Sequence, residues 1–273
     1  MGRCLAIGVD DFGQHEGINR AALGLADAGR LNALSCLVGG PAWRSGCTLL
    51  RGLDSGQTDI GLHLDLTQFP LRAKAPMRLP ALIARAYLGA LPLVPLRAEI
   101  SAQLDAFEAA LDRSPDYVDG HQHVHQLPRV RDMLLDVMHA RGGAGRAWLR
   151  NTRGPEPAAR QGVKPRLIEA LGACALARLA RARGHAQNRH LLGVWSFDGD
   201  AASYRQHIGE WLREAVDGDL LMCHPSVPWS EPSDTILAAR CAEWAVLSSD
   251  EFGALLAREG IVPTPIGRCV VLA

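Results

Sequence analysis

Neither sign of charge is in excess: Lys plus Arg number 29, Asp plus Glu number 29, and the net charge is zero. A protein that coats phosphate backbones is usually strongly basic, so nucleic acid is not expected as a partner. A disordered acidic chain needs low hydrophobicity and high net charge; here hydrophobic residues make up 48% and charged residues 21%. No run approaches the roughly 20 apolar residues of a membrane span. The apolar residues 5–9 meet Asp10 and Asp11 at once, too short a core for a leader, and read as a first buried strand. The seven cysteines, scattered from Cys4 to Cys269, form no CxxC pair. That pattern fits reduced, mostly buried thiols in a cytoplasmic protein and excludes a disulfide framework. Internal repeats, low-complexity tracts and a Gly-rich phosphate loop with lysine are also missing.

What is present is alternation. Strands are expected over 4–10, 33–38, 59–66, 117–125, 147–152, 191–197, 219–224 and 261–266. Pro263 and Pro265 make the last one an edge or irregular piece. Helical spacing is plain over 17–29, with Gly29 as its stop, and over 96–111. The Ala- and Arg-rich stretch 171–183 reads as a helix with a solvated basic face, and 153–164 as a loop. Strands alternating with helices imply parallel pairing through helical crossovers. The expected fold is α/β, a (β/α) barrel of TIM type, distorted or incomplete. The 273 residues suit one such domain, since about 250 are typical. Residues 69–95, rich in Pro and Leu, read as an insertion or lid over the C-terminal face, with a longer connecting helix as the alternative.

Four constellations end predicted strands, at the rim where barrel active sites are built. The first is Asp10-Asp11-Phe12-Gly13: adjacent carboxylates repel unless a cation offsets them. The plain alternative is a capping Asp10 beside a solvated Asp11. The second is Gly61-Leu62-His63-Leu64, with His63 opposite the leucines. The third is Asp119-Gly120-His121-Gln122-His123-Val124-His125. On a strand of period two, Asp119, His121, His123 and His125 share one face. Same-face side chains lie about 6.5–7 Å apart, so one or two ligate and the others serve substrate or proton transfer. The fourth is Met222-Cys223-His224-Pro225, where His224 is either a strand-end cap or a general acid or base. Alternation turns Cys223 away from His224, which makes it a buried, inert thiol. Separated imidazoles plus a carboxylate suit zinc, cobalt, nickel, manganese or iron.

These residues resemble the YdjC-type carbohydrate deacetylases, the family that includes chitooligosaccharide deacetylase and HpnK-like proteins. The resemblance rests on Asp10-Asp11-Phe12-Gly13 with Gly17 and Asn19, Gly61-Leu62-His63-Leu64 with Leu66-Thr67, Asp119 with His121 to His125 and Pro128, and Met222 to Pro225. It implies a barrel-like fold and hydrolysis of an N-acetyl group from an amino sugar or oligosaccharide, with release of acetate. It also implies one divalent ion per chain (Mg, Zn, Co, Ni or Mn). Asp11, His63 and His121 map onto the metal ligands, Asp10 onto the base and His224 onto the strand-end acid. Ser226 stands where the family has glycine, and Gln14-His15-Glu16 departs from the usual Leu-Ser pair. His15, Asp119, His123 and His125 are the expected substrate contacts. The expected partners are an N-acetylated carbohydrate and a second copy of the chain in a homodimer. The alternatives are a two-metal phosphoesterase, with Asp119, His123 and His125 at a second ion, and a non-catalytic sugar-binding barrel.

Overall fold

The computed structural model describes residues 2–53, 56–73, 75–142, 147–155 and 163–269. Its elements run β1 (Arg3–Phe12), α1 (Glu16–Asp27), β2 (Ala33–Cys36), α2 (Trp43–Leu50), β3 (Asp59–Leu64), α3 (Leu79–Tyr87) and α4 (Leu93–Leu111). Then come β4 (Tyr117–Gly120), a 3-10 turn (His121–Gln126), α5 (Val130–Ala140), β5 (Trp148–Leu149), α6 (Val163–Ala170) and α7 (Ala173–Ala182). The remainder is β6 (Leu191–Leu192), α8 (Ala201–Glu214), β7 (Asp219–Cys223), α9 (Leu237–Leu247), α10 (Asp250–Arg258), β8 (Ile261–Pro263) and α11 (Ile266–Cys269).

The eight strands form one parallel sheet in the order β5-β4-β3-β2-β1-β7-β6, with β8 against the first half of β1. In its central strand, β1, Leu5 to Phe12 are all buried, because helices cover one face and the other looks into the barrel interior, where Ala6 packs with Ala33, Leu220 and Met222. The barrel is incomplete. The terminal strands β5 and β6 are two residues each and do not pair with one another. Between them the gap is spanned by a bridge from Leu149 to Gln187, by hydrogen bonds between Asn151 and Asn188, and by one from Leu191 N to Arg153 O. No described helix is long and apolar enough to cross a membrane.

Local chemistry sets the ends. In α1, Ile18, Ala21, Ala22 and Leu25 are buried on one face, and Gly29 at φ 64° turns the chain out. After β3, the Asp65 carboxylate accepts the backbone N–H groups of Thr67 (2.7 Å) and Phe69 (2.5 Å), which ends the strand earlier than the leucine pattern suggests. Glu99 on α4 accepts from Leu71 N (2.8 Å) and Arg72 N (2.7 Å). The 69–95 segment is thus pinned at its start and carries α3. The predicted loop 153–164 runs into α6 at Val163, and 156–162 lie outside the described residues.

The expected strand 117–125 is corrected. β4 stops at Gly120, and the following residues turn instead of extending. Gln122 (φ 53°) and His123 (φ 58°) are left-handed. The returning chain packs so closely that a Cβ on Gly120 would lie 2.8 Å from His125 N. The single face expected for Asp119, His121, His123 and His125 therefore does not exist.

Candidate metal centre and active-site cavity

Because all strands are parallel, the ends of β1, β3, β4 and β7 meet at one rim. Asp10, Asp11, His63 and His121 are all buried there. Asp11 sits in left-handed backbone at φ 66°, a conformation aspartate tolerates better than most residues.

Asp11, His63 and His121 offer one donor atom each within 4.8 Å of one another. His63 Nε2 is 3.3 Å from Asp11 Oδ1, and His121 Nδ1 is 2.8 Å from the same oxygen. An ion about 2.1 Å from each of four tetrahedral donors holds them about 3.4 Å apart, so two nitrogens and one oxygen are near the spacing a divalent cation needs. The other ring nitrogen of His63, Nδ1, donates to Asp119 Oδ1 at 2.7 Å, which Ser35 Oγ also meets at 2.5 Å. Such a carboxylate fixes the imidazole and leaves Nε2 toward the ion. Without a cation, burial alone would lower His63, but Asp119 and Asp10 push it up to about 10. Burial would raise Asp11, but Arg240 and His121 hold it well below the carboxylate range. A second grouping, Asp10, His63 and Asp119, shares His63 and is less suitable. Both of its carboxylates are already bonded to Arg150.

Arg150 follows β5 and is fully buried. Its Nη1 and Nη2 donate to the two oxygens of Asp10, both at 2.6 Å, and Nη2 lies 2.5 Å from Asp119 Oδ2. Burial opposes ionisation of Asp10, but this guanidinium and His63 keep its carboxyl far below the usual range. His224 Nε2 is 3.8 Å from Asp10 Oδ2. Burial holds His224 down to about 4, against the pull of Asp10 and Asp11. Its backbone N–H donates to Glu243 Oε2 (2.5 Å), and Glu243 also accepts Trp195 Nε1 (2.9 Å). Burial pushes Glu243 up to about 7.

Asp10, Asp11, His63, His121 and His224 line a cavity of about 400 Å³. Its walls include Leu79 and Ile83 of α3, Ile168 of α6, and Trp195, Phe197 and Met222. The 69–95 segment thus reaches the site through α3. His123 faces this cavity. His125, His15 and Asp119 are not among its lining residues. Instead, His125 is fully buried and its Nε2 donates to the Arg150 carbonyl at 3.1 Å. His15 Nε2 donates to Asp234 Oδ2 at 3.1 Å, and Asp119 stands behind His63. Cys223 is buried and burial pushes its thiol well up. Trp195 lines the cavity, whereas Trp43 packs on Phe107 in the core.

Sequence reasoning missed Arg150, Arg240, Asp234 and Glu243. A signal existed for two of them. Ile236, Arg240, Glu243 and Leu247 fall on one helical face, and charges in an apolar stripe mark a buried polar site.

Fold and site together define a parallel α/β barrel with an Asp-His-His cluster that can hold a divalent cation at its C-terminal rim. Residues 4–258 match the family model of the YdjC-like proteins, and the chain belongs to that family. A carbohydrate deacetylase of Homo sapiens is 28% identical over 301 residues, covering 94% of this chain and 88% of the human protein. A carbohydrate deacetylase of Mus musculus is 35% identical over 159 residues, but that match spans 50% of this chain and 48% of the mouse protein. Among solved structures, a candidate cellobiose-phosphate cleavage protein from Enterococcus faecalis superposes with a TM-score of 0.71 at 19% identity, covering 98% of this chain and 99% of the other.

Proposed function

We propose that this chain hydrolyses the N-acetyl group of an amino sugar or N-acetylated oligosaccharide and releases acetate, using a divalent ion at Asp11, His63 and His121. The observation that carries this reading is the position of that cluster, beside Asp10 and His224 at the base of one cavity. The curated relatives named carbohydrate deacetylase support the substrate class. When bound, the ion supplies Lewis acidity to the acetamide carbonyl and lowers the pKa of the attacking water. Asp10 is anionic at neutral pH and takes the water proton at Oδ2. His224 Nε2, 3.8 Å away, is neutral and can receive that proton. It then delivers the proton to the departing amine. Arg150 holds Asp10 in one orientation and keeps it charged, at the expense of basicity. His123 faces the sugar, and α3 covers the mouth as part of a lid formed by residues 69–95.

The test is to incubate metal-loaded protein with N-acetylated mono- and oligosaccharides and assay acetate. Release is expected; none across a broad panel, from protein shown to hold metal, overturns the reading. Metal content near one ion per chain separates it from a two-metal phosphoesterase.

A further inference from the structure

Asp11 is gripped from both sides. Its Oδ1 faces His63 and His121, while its Oδ2 accepts Arg240 Nη2 at 2.7 Å. Arg240 lies on α9 and is 2% exposed. Its Nε donates to Asp234 Oδ2 at 2.7 Å, its Nη2 to Gln14 Oε1 at 3.3 Å, and its Nη1 to the His224 carbonyl at 3.4 Å. Asp234 is held in turn by His15 Nε2 at 3.1 Å and by Ile236 N at 3.1 Å. One guanidinium therefore touches the β1 carboxylate, the turn after β1 and the backbone at the end of β7.

We propose that Arg240, set by Asp234 and His15, is a positioning residue that reserves Asp11 Oδ1 for the metal and locks Asp11 against the His224 strand end. The inference rests on the metal reading given above. Two physical points support it. With Oδ2 occupied by Arg240, only Oδ1 remains toward the imidazoles. Asp234 also divides the guanidinium between two carboxylates. Asp11, Arg240 and Asp234 sum to one negative charge, so Asp11 keeps its attraction for a cation. Without Asp234, Arg240 would neutralise Asp11 and repel the ion. His15 acts two links away from the metal cluster, which accounts for its burial outside the cavity.

Co²⁺ titration tests this, read by the visible absorption of the bound ion on metal-free wild-type, Arg240→Lys, Asp234→Asn and His15→Phe proteins, with melting temperature measured on the same samples. Arg240→Lys keeps the charge but loses the fork that spans two carboxylates. It is expected to bind Co²⁺ about 10- to 100-fold more weakly, with an altered absorption band, as is usual for residues that orient ligands. Asp234→Asn is expected to weaken binding in the same direction, and His15→Phe by a smaller factor. A merely structural role would lower the melting temperature and leave affinity and band unchanged. Folded variants matching wild type within about twofold in Co²⁺ affinity, with the same band, overturn the proposal. Should Arg240→Lys fail to fold, Asp234→Asn decides by the same criterion. Wild-type protein that binds no Co²⁺ overturns both this proposal and the metal reading; wild-type binding with indistinguishable variants overturns this proposal alone.

Discussion

Replacing Arg150 by methionine keeps much of the side-chain volume and removes the guanidinium from two buried carboxylates. Asp119 retains Ser35 and His63, but Asp10 loses both of its hydrogen bonds from Arg150. Removing one partner of a buried ion pair costs about 3–5 kcal/mol, because a charge is left without compensation. At about 2–4 °C per kcal/mol for a chain of this size, the metal-free variant is expected to melt about 6–20 °C below wild type at neutral pH. The pH dependence follows from the direction of the Asp10 shift. Its folded pKa is depressed, so the stabilisation is fully present above the unfolded value near about 4 and is lost as pH falls through the lower folded value. In the variant, burial is no longer opposed by Arg150, so Asp10 takes up a proton at higher pH and ceases to be a buried charge. The deficit should therefore be larger at about pH 7.5 than at about pH 5. Calorimetry at both values measures it. The double variant Asp10→Asn with Arg150→Met should recover part of the loss, with a coupling of about 2–3 kcal/mol. A deficit under about 1 kcal/mol at neutral pH, or one that does not shrink on acidification, would refute the assignment of Arg150 as the partner of Asp10.

Other outcomes follow from the same geometry. Asp10→Asn should lower kcat by about 10²- to 10⁴-fold while elemental analysis still finds metal, since Asp10 lies outside the ligand cluster; undiminished turnover removes Asp10 as the base. His224→Gln should lower kcat over a similar range, about 10²- to 10⁴-fold, with little change in metal content. His224 and His125 are both held down to about 4 by burial, so the unfolded chain binds more protons between about 4 and about 6.5, and stability should rise with pH across that window. His125→Gln should flatten that rise, which pH-resolved melting curves can measure. Supplying a divalent ion at about 100 times its Kd should stabilise the protein by about 2.7 kcal/mol, and a chelator should reverse the gain.

Much of the fold was legible because its signals are local. Apolar runs at β1, β2, β3 and β7 stand out against the amphipathic spacing of α1 and α4. The rule that parallel strands present their C-terminal ends together then places Asp10, Asp11, His63 and His224 on one rim. The lengths of β5 and β6 were overestimated because only the pairing partners decide how far a short strand runs. The period-two reading of residues 119–125 failed for a related reason. Histidine alternation looks like a strand, but left-handed backbone at Gln122 and His123 is stabilised by packing against β3, α5 and α7, which no local pattern contains.

By itself the sequence determined the chemical inventory of the rim. It contains vicinal carboxylates after a buried strand and separated imidazoles at strand ends, and both follow from residue type and order along the chain. Only the tertiary structure decided how those groups are used. Arg150 and Arg240 approach Asp10 and Asp11 across 140 and 229 residues of chain; the first holds both oxygens of Asp10, and the second takes Oδ2 of Asp11 and leaves its Oδ1 available. The same long-range packing turned His15 and His125 into buried hydrogen-bond donors and left His123 in the cavity. The physical reason is that ionisation, orientation and exposure in a buried cluster are set by neighbours brought together by folding, not by neighbours in sequence.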